Sequence, residues 1–250
     1  MYGWLPRDIE LLTDTSPADW VVSRLRPWDW DGVRIESFMP NAFDRYARIL
    51  HPAGARGGVH QGLRWSEVAS RLGTQLHPED NFWDLVGGWD ADLYNHPVLG
   101  DIEPSSGTLP LPLLRPLVEV LSRWTEQDES CYFAMWYGWG SWWKDAHSGP
   151  DPFREERDAV LNATPRVHAP ARDHFLMRGP LRAVIPLEHA ASGQTPALWW
   201  PEGGSWLVST EVDAFSTYIG GTKDLIEELL NSDEIEAVPS HLDSRLDQGV

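Results

Sequence analysis

Apolar residues recur at helical spacing in several parts of the chain. Between Arg64 and Gly73, the residues Trp65, Val68 and Leu72 share one face of a helix. A glycine suits the position just past a helix end, because it adopts a left-handed backbone without a steric penalty. This segment therefore predicts an amphipathic helix that ends before Gly73.

A second apolar stripe predicts a helix in the middle of the chain. Leu114, Leu117 and Leu121 lie at helical spacing, but Pro116 stands among them. Proline in a helix interior costs about 3 kcal/mol and is tolerated in the first turn. We therefore expect this helix to begin near Leu113.

Three shorter segments and one near the C-terminus also have helical patterns. The stretch TKDLIEELLNS begins with Thr222, a residue type that caps helices, and carries a leucine and isoleucine stripe. Helical turns are predicted within 16–25, 81–86 and 152–161.

Other segments have the alternating or continuous apolar pattern of strands. The run from Cys131 to Tyr137 is apolar on both faces, as in a strand covered on both sides. Residues 44–50 fit a helical face or a strand; we favour a strand, paired with 33–38 across a turn at Pro40-Asn41. The remaining predicted strands are 174–178 and a hairpin of 197–200 with 205–212.

These elements do not alternate strictly, which favours the α+β class. We predict a single domain over residues 1–240, with a mostly antiparallel sheet of about five strands and about four helices packed on it. Residues 144–170 are polar and predict a surface insertion, and residues 241–250 predict a frayed tail.

Composition narrows the possible partners. The 250 residues carry a formal net charge of −18, which repels a nucleic-acid backbone. The charge favours a basic protein partner; the alternative is the ordinary acidity of many cytoplasmic proteins, which serves solubility. No apolar run approaches the ~20 residues of a membrane span. The start lacks a secretory signal pattern, and the single cysteine fits a reducing compartment, so we expect a cytoplasmic protein.

Fifteen tryptophans are the unusual feature of the composition. Trp139, Trp142 and Trp143 follow the predicted core strand and its glycines, and they border a polar stretch. Trp199 and Trp200 point to opposite faces of another predicted strand. Exposed tryptophans bind sugars, bases or apolar side chains, so these five are candidate binding residues; the alternative is that they anchor loops to the sheet.

Glu211 and Asp213 are the candidate acid/base pair. They alternate along a predicted strand and would share one face. The other interpretation is the solvent-facing side of an edge strand.

Other chemistry-bearing residues have simpler explanations. Two segments hold metal-capable groups: His77 to Asp80, and Asp90 with Asp92 and His96. Asp92 and His96 would meet on a helix, but zinc sites usually have tighter spacing, and the alternative is polar loop and turn chemistry. The sequence GGTK (220–223) lacks the spacing of a phosphate-binding loop. Cys131 is placed inside an apolar strand, which hides its thiol. We expect no metal and no cofactor.

Several segments, in order along most of the chain, carry a family resemblance. They are FDRYARILHP, RWSEVASRLG, GTLP, CYFAMWYGWG, HFLMRGPL, TPALWWPEGGSWLVSTEVDAFSTYIGG and EAVP. Together they resemble a family of uncharacterised actinobacterial proteins. The resemblance implies an actinobacterial, cytoplasmic, single-domain protein, and it implies no activity, cofactor or catalytic residue.

Two functional hypotheses remain open. The first is a non-catalytic, acidic protein-binding module, for example an immunity- or antitoxin-like protein that neutralises a basic effector. The second is a sugar-like ligand binder or hydrolase with a tryptophan-lined pocket and the carboxylates Glu211 and Asp213. The sequence does not indicate the oligomeric state.

Overall fold

The computed structural model describes residues 2–29, 32–54, 62–138 and 152–246. These residues contain nine strands in one antiparallel sheet and seven α-helices. The α+β class is thus confirmed, and the sheet has more strands than the predicted five.

The strands are β1 (Glu10–Leu11), β2 (Arg45–Leu50), β3 (Ser130–Trp136), β4 (Val167–Ala169), β5 (Arg172–Pro180), β6 (Leu198–Pro201), β7 (Leu207–Ser209), β8 (Ser216–Gly221) and β9 (Ala237–Ser240). The helices are α1 (Asp19–Val22), α2 (Trp65–Leu72), α3 (Phe82–Val86), α4 (Leu111–Ser122), α5 (Arg154–Ala163), α6 (Val184–Ala190) and α7 (Lys223–Leu230). The sheet order is β1-β5-β3-β6-β7-β8-β2-β9, and β4 also pairs with β5.

Both faces of the sheet are covered. Phe133 and Trp199 lie on one face, in a core that also includes residues of α4, α6 and α7. Ala134 and Trp200 lie on the other face, against residues of the N-terminal segment and Leu246. The two-sided apolar pattern of β3 therefore corresponds to a strand buried on both sides, as predicted.

A third apolar cluster lies beyond the end of β2. Trp65 and Phe82 bring α2 and α3 together there, with their ring centroids 5.0 Å apart. Leu93 and Ile102, from the connection that follows α3, are buried in the same cluster. This cluster fixes the position of the long connection between α3 and α4.

The capped helices follow their sequence signals. Gly73 ends α2 with φ of 71°, and the Thr222 hydroxyl accepts a hydrogen bond from the Leu225 amide at the start of α7. Helix α4 begins at Leu111, two residues before the predicted start, so Pro116 lies inside it. Burial of Leu114, Leu117 and Leu121 offsets the lost hydrogen bond, since each fully buried leucine contributes about 1.5–3 kcal/mol.

The predicted strand at 33–38 and its hairpin with residues 44–50 are wrong. Residues Ile35–Ser37 form a 3-10 helix, in which the Phe38 amide donates to the Ile35 carbonyl, and the amides of Ile35 and Glu36 donate to carbonyl groups near the C-terminus rather than to β2. Strand β2 pairs instead with β8 and β9.

Two segments predicted to lie outside the core contribute to it. The stretch 144–170 supplies α5 and β4, and Leu161 and Val167 are buried. Within 241–250, the Leu246 amide donates to the Val33 carbonyl at 2.9 Å, and the Leu246 side chain is buried.

Candidate functional site

Trp199 and Trp200 are core residues. Strand β6 lies between β3 and β7, and both of its faces are packed, because Trp199 belongs to one apolar core and Trp200 to the other. Trp199 meets Trp206 edge-on, and Trp200 meets Trp20 in the same manner; both β6 tryptophans are at most 1% exposed. They are therefore closed to a ligand in this structure. The other three candidates, Trp139, Trp142 and Trp143, lie outside the described residues.

Glu211 and Asp213 come together, but not on a strand. Strand β7 ends at Ser209, so both carboxylates lie in the connection to β8. They converge on the first residue of β5: Arg172 Nη2 donates to Glu211 Oε1 at 2.6 Å and to Asp213 Oδ2 at 3.0 Å. The sequence predicted the pairing of the carboxylates, and it gave no sign of the arginine between them.

Two aromatic rings enclose the Arg172 guanidinium. It lies 5.3 Å from the ring centroid of Trp28 and 5.6 Å from that of Trp136. Burial raises the pKa of Glu211, although Arg172 acts in the opposite direction. Both carboxylates are occupied by one cation, and the more buried one is closed to solvent. This geometry is that of an ion cluster joining β5 to the β7–β8 connection, rather than of an acid/base pair open to substrate.

His174 lies two residues further along β5 and is almost fully buried. Burial lowers the pKa of its imidazole to about 4, so the ring is neutral at pH 7. Among the described residues, its Nδ1 and the Nε of Arg172 have no hydrogen-bond partner. Both residues line a cavity of about 20 Å³, which is large enough for one water molecule and too small for a sugar.

A buried histidine elsewhere makes a hydrogen-bonded chain with two threonines. His51 Nδ1 donates to the Ser105 carbonyl at 2.7 Å, and its Nε2 lies 2.9 Å from the Thr217 hydroxyl. The Thr217 hydroxyl is 2.8 Å from that of Thr210. His51 and Thr217 are fully buried, so the chain satisfies polar groups of the core and presents no nucleophile to solvent.

The remaining candidates from the sequence have structural partners. The Asp80 carboxylate accepts from the His77 amide, and Asp92 accepts from the amides of Tyr94 and Asn95 in a turn rather than on a helix. Within the described residues, no group of three or more metal-ligating side chains is assembled. Burial raises the pKa of the Cys131 thiol to about 12, so it is not a ready nucleophile.

The exposed apolar side chains indicate a different site. Of the four large apolar residues exposed in the described chain, three lie in the connection after α3: Trp89 at 55%, Tyr94 at 47% and Val98 at 66%. We call residues 87–103 the acidic aromatic loop. It contains four carboxylates and no lysine or arginine. Its carboxylates belong to Asp90, Asp92, Asp101 and Glu103.

Buried side chains, a ring stack and hydrogen bonds hold the acidic aromatic loop in place. Leu93 and Ile102 are buried, and the Ile102 amide donates to the Leu93 carbonyl at 2.8 Å. Trp89 stacks on Trp83 of α3, with ring centroids 5.1 Å apart. The Tyr94 hydroxyl donates to Glu103 at 3.0 Å. The loop thus presents its exposed rings on a fixed framework.

The sequence pattern predicted polar turns around His77 and Asp92 but did not identify this site. Periodicity does not distinguish an exposed Trp89 from a buried Trp83, because neither belongs to a long repeating pattern. The signal that was available is the coincidence of aromatic residues with four acids and paired glycines.

Comparison of the chain with protein-family models, with curated proteins and with solved structures finds no match. Among the described residues, no helix is both long and apolar enough to cross a membrane. Function is therefore inferred from the geometry of the chain itself.

Proposed function

We propose that this protein is a non-catalytic binding module for a basic protein, and that the acidic aromatic loop is its contact surface. The single observation that carries the proposal is the concentration of exposed apolar side chains on one anchored loop that has four carboxylates and no lysine or arginine. Contiguous exposed apolar surface with a polar rim is typical of interaction sites.

The residue types on the loop suit a protein partner. Tryptophan and tyrosine are enriched among the residues that dominate binding energy at interfaces. Trp89 and Tyr94 also supply aromatic faces that attract arginine and lysine, and the surrounding carboxylates add to that attraction. The anchoring by Leu93 and Ile102 lowers the ordering cost of binding.

The net charge of the whole chain also favours a basic partner. A net charge of −18 accelerates encounter with a cationic protein and disfavours acidic competitors. Neutralisation of a basic effector, in the manner of an immunity protein or antitoxin, is the most concrete form of this function. The catalytic alternative has less support, because Glu211 and Asp213 are joined to Arg172 and Trp199 and Trp200 are buried.

A selection experiment tests the proposal without a known partner. The purified protein is panned with a random phage-displayed peptide library, and bound phage are challenged with Trp89→Ala/Tyr94→Ala protein as competitor. We expect enriched peptides to contain arginine or lysine next to an apolar residue, and we expect the variant to compete poorly.

The control for this selection is Phe153→Ala, which removes the fourth exposed apolar side chain and leaves the loop intact. It should compete as well as the unchanged protein. Enrichment of acidic or uncharged peptides, or equal competition by the loop variant, would contradict the proposal.

A further inference from the structure

A groove of about 470 Å³ lies between the end of β2, the start of α2, α4 and the connection from α7 to β9, within the size range of ligand pockets. Leucine and proline side chains form its apolar part. They are Leu50, Leu63, Leu113, Pro52, Pro112 and Pro116. Leu50 and Leu113 are buried, and the prolines restrict the backbone, so this wall is preformed.

The charged residues of the groove are mostly acidic. Among the residues that the structure describes, four carboxylates and one arginine line it: Glu67, Asp233, Glu234, Glu236 and Arg64. The Arg64 guanidinium donates to the backbone carbonyl of Asp233 and leaves that residue's carboxylate unpaired.

The carboxylates fall into two pairs. Glu236 is fixed by the amides of Trp65 and Ser66, at 2.7 and 3.0 Å, and Glu67 accepts from the Arg64 amide at 2.9 Å. The exposed side chains of Asp233 and Glu234 make no hydrogen bond or ion pair with any described residue. An apolar wall thus meets two fixed and two unpaired anionic groups.

The groove is linked through the backbone to the end of the acidic aromatic loop. Ala53 and Leu63 exchange backbone hydrogen bonds of 2.8 and 2.7 Å, and the adjacent Gly54 amide donates to the Glu103 carbonyl at 3.1 Å. These bonds join the segments that carry Pro52 and Leu63 of the groove to the last residue of the loop.

We propose that this groove receives an arginine side chain, together with a neighbouring apolar residue, from the basic partner. This inference rests on the proposed function. Arginine fits both parts of the groove, because its aliphatic stem packs on apolar surface while its planar head pairs with carboxylates. Lysine would offer a point charge without the bidentate hydrogen bonds that arginine makes to a carboxylate.

The probe for this proposal is the tripeptide acetyl-Leu-Arg-Leu-amide, followed by amide chemical shifts of the isotope-labelled protein. We expect saturable shifts at Leu63, Glu67 and Glu234. Asp233→Asn/Glu234→Gln should weaken binding about threefold to tenfold, since an exposed ion pair contributes up to about 1 kcal/mol. The glutamine analogue of the tripeptide should bind less tightly than the arginine form.

Glu155→Gln/Glu156→Gln on α5 is the matched control, because it removes the same charge at exposed residues outside the groove. Equal weakening by both double variants, or no saturable shift at about 5 mM tripeptide, would overturn the proposal. Trp89→Ala/Tyr94→Ala leaves the groove residues in place and should still bind the tripeptide. The experiment therefore distinguishes an incorrect proposal about the groove from an incorrect proposal about the loop.

Discussion

Arg172 has a structural role that a single substitution can measure. Its guanidinium neutralises Glu211, which is only 5% exposed, so Arg172→Leu leaves a buried carboxylate without a partner. We expect the free energy of unfolding at pH 7 to fall by about 3 kcal/mol. Urea unfolding of this variant and of Arg172→Leu/Glu211→Leu forms the comparison. The double variant should recover part of the loss; a strictly additive loss would contradict the pairing.

His174 gives the molecule a defined pH dependence. Its native pKa is about 4 and its ordinary value is 6.5, so the unfolded chain binds a proton that the native chain excludes between these values. The stabilisation is complete above pH 6.5 and is lost as the pH falls towards 4, by at most roughly 3 kcal/mol. The contribution of Glu211 to stability changes in the opposite direction: its native pKa is raised, so this contribution is lost as the pH rises.

His174→Gln separates the two contributions. The variant retains Glu211 and removes the histidine titration, so its free energy of unfolding should fall less between pH 6.5 and 4.5 than that of the unchanged protein. Parallel pH profiles from urea unfolding would show that His174 is not the group responsible.

At the residue scale, the sequence predicted that two carboxylates belong together but not which residue binds them. Glu211 and Asp213 were singled out together, and both accept from Arg172, although in a connection rather than on a strand. Arg172 was missed because it is 39 positions from Glu211, and only the pairing of β5 with its neighbours brings it near. The burial of Trp199 and Trp200 was not predicted, because strand alternation does not reveal that both faces are covered.

At the scale of elements, two glycines with the same φ allow a matched test. Gly73 and Gly107 both have φ of 71°, but an added Cβ meets nothing at Gly73 and would lie 2.4 Å from the Val212 carbonyl oxygen at Gly107. Gly73→Ala should cost about 1–2 kcal/mol of unfolding free energy, from backbone conformation alone. Gly107→Ala should cost more, about 2–4 kcal/mol, because a steric clash is added.

Thermal or urea unfolding of both alanine variants checks this ordering. Equal losses would mean that the approach of Gly107 to the β7–β8 connection does not constrain the fold. Equal losses would also weaken the view that this connection, which carries Glu211, is held rigidly.

Elements with complete local signals were predictable, and short strands were not. Helix α7 has both a cap at Thr222 and an apolar stripe, and α2 has a stripe and a terminal glycine, so both were correctly predicted. Strand β1 has two residues and β4 has three, which is too few to establish any period. Strand β1 pairs with residues of β5 far along the chain, Glu10 with Arg178, and no local pattern encodes that pairing. Strand β4 joins β5 through the short turn at Pro170-Ala171.

At the scale of the whole molecule, the sheet edges are protected against self-association. Strand β1 is very short, and β9 contains Pro239, which lacks an amide donor. Short edges and proline are ways in which proteins avoid edge-to-edge pairing. The exposed apolar surface that remains in the described chain is concentrated on the acidic aromatic loop, where carboxylates give it a preference for cations.

The α+β class followed from the order of elements, whereas the contact surface did not follow from composition. A charge of −18 favoured a basic partner without locating the contact. The location depends on Leu93 and Ile102 being buried while Trp89 and Tyr94 are exposed. That difference arises from how the connection folds onto α2 and α3.

The most direct test of the central claim is calorimetric titration of the best library-selected basic peptide into the unchanged protein and into Trp89→Ala/Tyr94→Ala. Loss of interface aromatics at contact centres costs about 2 kcal/mol or more, so we predict at least a tenfold weaker Kd in the variant. Binding should also weaken as salt rises, because the carboxylates contribute. An unchanged Kd in a folded variant would contradict the account.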